Sequence, residues 1–382
     1  MDIIDNDFMV DRKLKKKIVS KLFKGKAIIV YGPRQVGKTT LVESILSELN
    51  LQTVYFNGDD ADTRELLHSS NQTRLTNLLG KAKIVFIDEA QKIDDVCTTI
   101  KIIVDRIKEV QVIVTGSSSF MLSRSTREPL TGRAYEFILF PLSFGELTEH
   151  HSLHKELRML EHRLLYGSYP EVCTSNGEEI DLLKLLTGSY LYRDLNFIEA
   201  VSRPELFEKI IKALALQIGS EVSYIEIGQL VDADRLTVEK YINILEKAFI
   251  VFKLPALNKN VRNEIKKGKK IYFYDNGIRN AIIKNFNQLS LRNDTGFLWE
   301  NYIISERMKY LSYNDINVEK FFWRTVQQQE IDYIEEYRNI FSAYEFKFNP
   351  TSKFRFSKTF VEAYNLREKK IISPNNIEEF LL

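Results

Sequence analysis

The 382-residue sequence holds only two cysteines, Cys97 and Cys173. That excludes a disulfide framework and points to a reducing compartment. Net charge is nearly absent, because 54 Lys+Arg against 52 Asp+Glu give a formal +2. A global attraction for nucleic acid is thereby excluded, and any basic surface must be local. No apolar run approaches the ~20 residues of a membrane span, so no membrane partner is expected. The first residues, MDIIDND, lack the basic start and apolar core of a secretory signal. These absences together lead to the expectation of a soluble cytoplasmic protein. What the chain does have is apolar material, 44% hydrophobic and 12% aromatic, ample for packed cores. Its length calls for two or three domains.

The strongest local pattern is Ile28–Leu41, IIVYGPRQVGKTTL. A short β-branched run reads as a buried strand, and Thr39 onward reads as a helix start. Between them Gly32, Gly37, Lys38 and Thr39 have the spacing G-x-x-x-x-G-K-[ST] of a phosphate-binding loop. Glycines let the backbone close into a nest of N–H groups, and the helix N-terminus adds partial positive charge. Lys38 is placed to reach the β- and γ-phosphates of ATP, and the Thr39 hydroxyl to ligate Mg²⁺. The cradle is expected to comprise Gly32, Pro33, Arg34, Gln35, Val36, Gly37, Lys38, Thr39 and Thr40. Arg34 is as well placed to brace the loop as to touch a ligand.

Ahead of this loop, Phe8–Phe23 reads as a basic amphipathic helix with Leu14, Ile18 and Leu22 on one stripe. Its Lys15-Lys16-Lys17 run is most simply a solvated face. After the loop come a strand at Thr53–Phe56 and a helix at Thr63–Leu79. Lys83–Gln91, KIVFIDEAQ, is a strand ending in adjacent carboxylates, where an open α/β sheet places its ligand. Asp88 suits a Mg²⁺ ligand, and Glu89 a general base that polarises the attacking water. An Asp-Glu pair after a strand also suits a helix N-cap. A helix at Val96–Ile107 follows, with Cys97 as packing. Gln111–Ser119 repeats the strand-then-polar pattern, so Thr115 or Ser117 would sense the γ-phosphate or hold the water, unless the segment is a plain Gly-Ser turn. Arg133, before a strand at Ala134–Phe140, is the candidate for transition-state charge, in cis or from a neighbouring subunit; a surface arginine is the rival reading.

GPRQVGKTTL, VFIDEAQ, VIVTGSSS and LTGRAYEFILFPLSFGEL, in that order, resemble the AAA-superfamily ATP-binding proteins of bacteria and archaea. The resemblance implies a P-loop ATPase core with a helical lid, a winged helix, and a C-terminal PD-(D/E)XK restriction-endonuclease-like module. Pro141–Leu147 and Tyr192-Arg193-Asp194 fit it. Gly167-Ser168-Tyr169-Pro170 departs from the usual Gly-Gly-aromatic-Pro at its second position. The expected fold class is α/β: a parallel P-loop sheet with helical lid, then a winged helix and a small α/β nuclease-like domain. The expected boundaries are 1–145, 146–202, 203–275 and 276–382, with ATP and Mg²⁺ as cofactors and a homo-oligomer possible.

In the second half, Pro204–Gly219 is amphipathic, and Ile225–Val231 and Arg235–Ala248 flank the turn Asp232-Ala233-Asp234. That is helix-turn-helix spacing. Arg235, Thr237 and Lys240 would face outward where base edges are usually met. Phe249–Leu254 and Lys270–Tyr274 read as wing strands, with Lys259, Arg262, Lys266, Lys267, Lys269 and Lys270 concentrating positive charge for DNA phosphates. A solvated loop is the alternative. Thr295–Leu311 reads as a helix carrying Glu300, followed by strands at Lys320–Val326, Glu330–Glu335 and Phe341–Phe348. Asp332, Glu345 and Lys347 match the PD-(D/E)XK pattern, and with Glu300 they would hold divalent ions beside a water nucleophile, with Gln327 and Gln329 near substrate. Family members keep that fold without cutting as well, so a structural remnant stays open. Lys353–Leu366 and Lys369–Ile372 would complete the module.

Overall fold

The computed structural model describes residues 9–68, 71–117, 130–188, 203–258, 268–325, 327–352 and 354–382. The chain forms two compact units, one of residues 1–141 with 247–249, the other of 142–246 with 250–382.

The first unit is built on a five-stranded parallel sheet in the order β2-β3-β4-β1-β5. The strands are β1 (Ala27–Tyr31), β2 (Thr53–Asn57), β3 (Ile84–Asp88), β4 (Gln111–Gly116) and β5 (Ala134–Ile138). β1, β3 and β4 are buried along their whole length, which is why they are continuous apolar runs without alternation. The helices are α1 (Leu14–Lys21), α2 (Lys38–Leu49), α3 (Ala61–Leu67), α4 (Gln72–Leu79) and α5 (Val96–Arg106). Cys97 is buried in the core of this unit, and burial pushes its thiol up to about 12.

Two expectations need correction here. The first helix is shorter than Phe8–Phe23, although its stripe of Leu14, Ile18 and Leu22 is buried as expected. The helix expected over Thr63–Leu79 is two helices: α4 starts afresh because the Asn71 side chain accepts from the Arg74 N–H at 2.9 Å. Asn and Ser favour caps over helix interiors, and His68-Ser69-Ser70-Asn71 puts several such residues together.

The second unit opens with short helices at Phe144–His151, Leu153–Arg158, Leu160–Tyr166, Pro170–Thr174 and Glu179–Leu186. The Pro141–Leu147 segment has a local physical cause. Ser143 and Glu146 make a reciprocal capping box, and the Phe144 N–H donates to buried Glu306 at 2.6 Å. Gly167 has a φ of 73° and lies against Asp275, which accepts from the Ser168 N–H at 2.7 Å. Serine is tolerated at the departing position because only its backbone is used there.

Helices at Pro204–Leu216, Tyr224–Val231 and Arg235–Lys247 follow, then an antiparallel pair, β6 (Val251–Pro255) and β7 (Lys269–Phe273). The helix Thr295–Tyr313 precedes a four-stranded sheet ordered β11-β10-β9-β8. Its strands are β8 (Glu319–Arg324), β9 (Glu330–Tyr337), β10 (Ile340–Phe346) and β11 (Leu366–Ile372). The first three form the antiparallel meander, and β11 adds parallel to β10. The stretch expected to run from Lys353 to Leu366 contains one helix, Lys358–Ala363. One hydrophobic cluster takes in Leu164, Phe252, Tyr272, Trp299, Phe322 and Tyr344, so the short helices, the hairpin and the sheet share a core.

Candidate active site

β1 lies between β4 and β5 in the first sheet, and the loop after it opens at the carboxyl ends of the strands. Gly32 there has a φ of 152°, and a Cβ on it would stand 2.1 Å from the Leu139 carbonyl oxygen. Gly37 has a φ of 86° at the start of α2. The loop is braced from outside: the Arg12 guanidinium donates to the Val36 and Phe140 carbonyls, both at 2.6 Å. Arg12 is a residue that sequence reasoning missed, since nothing local marks a contact across 128 positions.

Lys38 is 5% exposed and donates to the loop carbonyls of Pro33 at 2.7 Å and Gly32 at 3.3 Å. Burial pushes its ammonium down to about 8, against the nearby charges of Glu89 and Asp88. A lysine held on neutral carbonyls in a dry site favours an arriving anion. Thr39 donates its hydroxyl to Asp88, at 2.9 Å to the nearer oxygen. The two expected metal-binding residues, from α2 and β3, therefore meet. An alcohol and a carboxylate are the hard oxygen donors that Mg²⁺ takes, so this pair fits the ion.

Asp88 also accepts from Thr115 at the end of β4 and from the Tyr55 hydroxyl at 3.3 Å. Tyr55, from β2, escaped the sequence reading because its strand reads only as a strand. Burial and the Asp88 charge push its phenol up to about 12. Glu89 follows Asp88 with a left-handed φ of 49° and accepts from the Gln91 side chain. The same Gln91 amide accepts from the Ser117 N–H at 3.0 Å, so Glu89 and Ser117 are brought together through one side chain. Gly58 lies under this turn, where a Cβ would stand 2.4 Å from the Glu89 carbonyl oxygen. Pro33, Gln35, Val36 and Thr40 lie in the loop and the first turn of α2, and Arg34 is partly exposed beside Lys38.

Arg133 stands elsewhere. Its carbonyl accepts from the Ala27 N–H at the opposite end of β1, about 13 Å of strand from the loop. Its guanidinium is held by Asp105 at 2.9 Å. The cis alternative is thereby corrected, because the arginine is at the wrong edge of its own sheet.

A family described as "AAA domain" matches residues 24–148. Residues 24–148 are an AAA-type ATPase domain. Two families described as domains of unknown function, DUF8612 and DUF4143, match residues 157–289 and 295–379. An uncharacterised protein of Mycobacterium tuberculosis is 25% identical over 82% of this chain and 68% of its own length. One of Methanocaldococcus jannaschii is 23% identical over 98% of this chain and 87% of its own length. A Walker-type ATPase of Pyrococcus abyssi has a similar structure at 15% identity, covering 73% of this chain and 97% of that one, with a TM-score of 0.49.

Outside the ATPase domain, the expected DNA contacts divide. Arg235 and Lys240 are exposed, Arg235 lying 3.7 Å from Glu239. Thr237 is tied up, since its N–H and hydroxyl both donate to Asp234, at 2.9 and 2.6 Å. Lys269 is partly exposed with its ammonium 5.4 Å from the centre of the Tyr224 ring. Lys266 and Lys267, like Tyr192-Arg193-Asp194, lie outside the described residues. Lys270 is a correction: it is 2% exposed and forms ion pairs with Glu300 at 2.9 Å and Glu330 at 2.6 Å. Adjacent strand residues face opposite sides, so Lys269 and Lys270 cannot serve one surface.

The expected nuclease residues do come together. Asp332 accepts from the Phe346 N–H at 2.9 Å, and Lys347 donates to Glu345 at 2.6 Å. Burial, then the charges of Glu300 and Glu345, raise the Asp332 pKa well above the carboxylate range. Burial raises Glu345 as well, against the pull of Lys347. No three acidic, imidazole or thiol groups among the described residues are arranged to hold a metal ion. No described helix is long and apolar enough to cross a membrane.

Proposed function

We propose that the chain is a Mg²⁺-dependent ATPase whose second half binds DNA. The observation that carries the first part is the meeting of Thr39 and Asp88 beside the buried, carbonyl-held Lys38. In this reading the loop N–H groups and Lys38 hold the β- and γ-phosphates, and Thr39 with Asp88 holds Mg²⁺. When bound, Mg²⁺ neutralises charge on the phosphate oxygens. The Glu89 carboxylate takes the proton of the attacking water once it leaves Gln91, and Ser117 sits across that amide to register the change. Arg133 serves a neighbouring copy in an oligomer, since its own loop is out of reach. Exposed Arg235 and Lys240 and partly exposed Lys269 supply the DNA contacts, through phosphates.

The experiment is ATP turnover of wild type and Glu89→Gln, with and without Mg²⁺ and DNA. Wild type should turn over only with Mg²⁺, and Glu89→Gln should keep its ATP affinity while losing about 10²–10⁴-fold in rate. A wild type that binds ATP without turnover makes the protein a nucleotide-gated binding module instead. Equal rates in wild type and variant remove Glu89 from its assigned role.

A further inference from the structure

Lys270 looks from the sequence like one more lysine of a basic loop, yet it is among the most deeply buried side chains of the molecule. Its ammonium reaches Glu300 of the helix Thr295–Tyr313 and Glu330 at the start of β9. The Tyr272 hydroxyl donates to the same Glu300 oxygen at 2.6 Å, and the Phe322 ring lies 5.5 Å from the ammonium. Around this point Asp332 is close enough to feel both Glu300 and Lys270, and Glu345 is close enough to feel Glu300. One Glu345 oxygen is occupied by Lys347, while the other is buried without a hydrogen-bond partner.

We propose that the Lys270 ammonium is the resident cation of this carboxylate cluster, occupying the role a divalent metal ion would take. A PD-(D/E)XK reading implies such an ion, and the residues present do not fit it. A divalent ion needs several oxygens converging at about 2.0–2.6 Å. The Glu300 oxygen that would face it already accepts two hydrogen bonds, and Glu345 is engaged by Lys347. Bringing an ion in would also set a 2+ charge beside a buried ammonium with little water between to screen it. Lys270 thereby ties β7 to the helix and to β9, a positioning role within the second unit. The unpartnered Glu345 oxygen marks where oxygen ligands remain, so removing the lysine should expose a latent metal site.

The test uses the nucleotide-free full chain and Mn²⁺ alone, with free Mn²⁺ read by electron paramagnetic resonance. Wild type and Asp332→Asn should give superimposable binding curves up to about 1 mM, the weak end of protein cation sites. Lys270→Met keeps the apolar stem and removes the charge. It should gain one Mn²⁺ per chain, lost again in Lys270→Met/Asp332→Asn, and Lys270→Arg should gain none. A wild type that binds one Mn²⁺ more than Asp332→Asn overturns the proposal, as does a folded Lys270→Met with no added site. If Lys270→Met does not fold, the comparison of wild type with Asp332→Asn decides alone.

Discussion

Lys38 and Lys270 are both buried lysines beside acidic residues, and they respond in opposite directions. Lys38 donates to backbone carbonyls, and burial brings its pKa down to about 8. Lys270 suffers the same burial, but Glu300, Asp332 and Glu330 outweigh it and raise the pKa above the ordinary lysine value. Burial disfavours the charge in both places; only the second has carboxylates in contact to compensate. One lysine is therefore held ready for an anion from outside, and the other already has its anions. Spacing around a lysine does not distinguish the two cases, whereas the partner atoms do.

The comparison is most severely tested by removing the satisfied lysine. Lys270→Met leaves Glu300 without its cation and Glu330 with only Arg324, 3.7 Å away, and breaking a buried pair costs about 3–5 kcal/mol. The loss should lie toward the smaller figure because Glu330 is 30% exposed on its side chain. Chemical denaturation measures it, and a loss below about 1 kcal/mol would mean the pair is no more than a surface contact. Lys38→Ala should act on binding instead: ATP affinity falls about 10–150-fold, the worth of a hydrogen bond to a charged group. Its folding stability should hold or rise, since a buried ammonium on neutral carbonyls is removed. Titration calorimetry and a melt on the same sample separate the two lysines.

Arg12→Ala sharpens the picture of the loop. It strands two carbonyls, one of them in the phosphate loop, and should cost about 1–3 kcal/mol of stability, with weaker ATP binding. The smallest effect belongs to the candidate DNA-contact residues. Arg235, Lys240 and Lys269, changed to Ala together, should lower the salt slope of DNA binding by about one per lost phosphate contact. An unchanged slope would leave those residues as solvated surface.

The sequence made the parallel sheet legible because buried strands are unbroken apolar runs, and the loop glycines announce their backbone geometry. Thr39, Asp88 and Glu89 were readable for the same reason: they follow strand ends at fixed spacing. Arg12, Tyr55 and Gly58 were not, because each acts through a partner far along the chain. Lys270 was misread because strand alternation turns neighbouring lysines to opposite faces, and the inward one found carboxylates from two other elements. The DNA-contact surface is the least legible part, since Thr237 serves as a cap partner for Asp234 and Lys266 and Lys267 lie outside the described residues.

The pH dependence of ATP affinity tests the central contrast most directly. Below about pH 8 Lys38 already carries its proton, so affinity should be flat. Bound phosphates restore the charge, so above that pH binding must take up a proton from solution. Affinity should then fall with rising pH, by at most about tenfold per unit, and the fall should vanish in Lys38→Met. Calorimetry at pH 8 should show about half a proton taken up per ATP bound in wild type, and closer to one at higher pH. A wild-type affinity unchanged from pH 7 to pH 9.5, or an equal fall in Lys38→Met, would contradict a lysine held in waiting for phosphate.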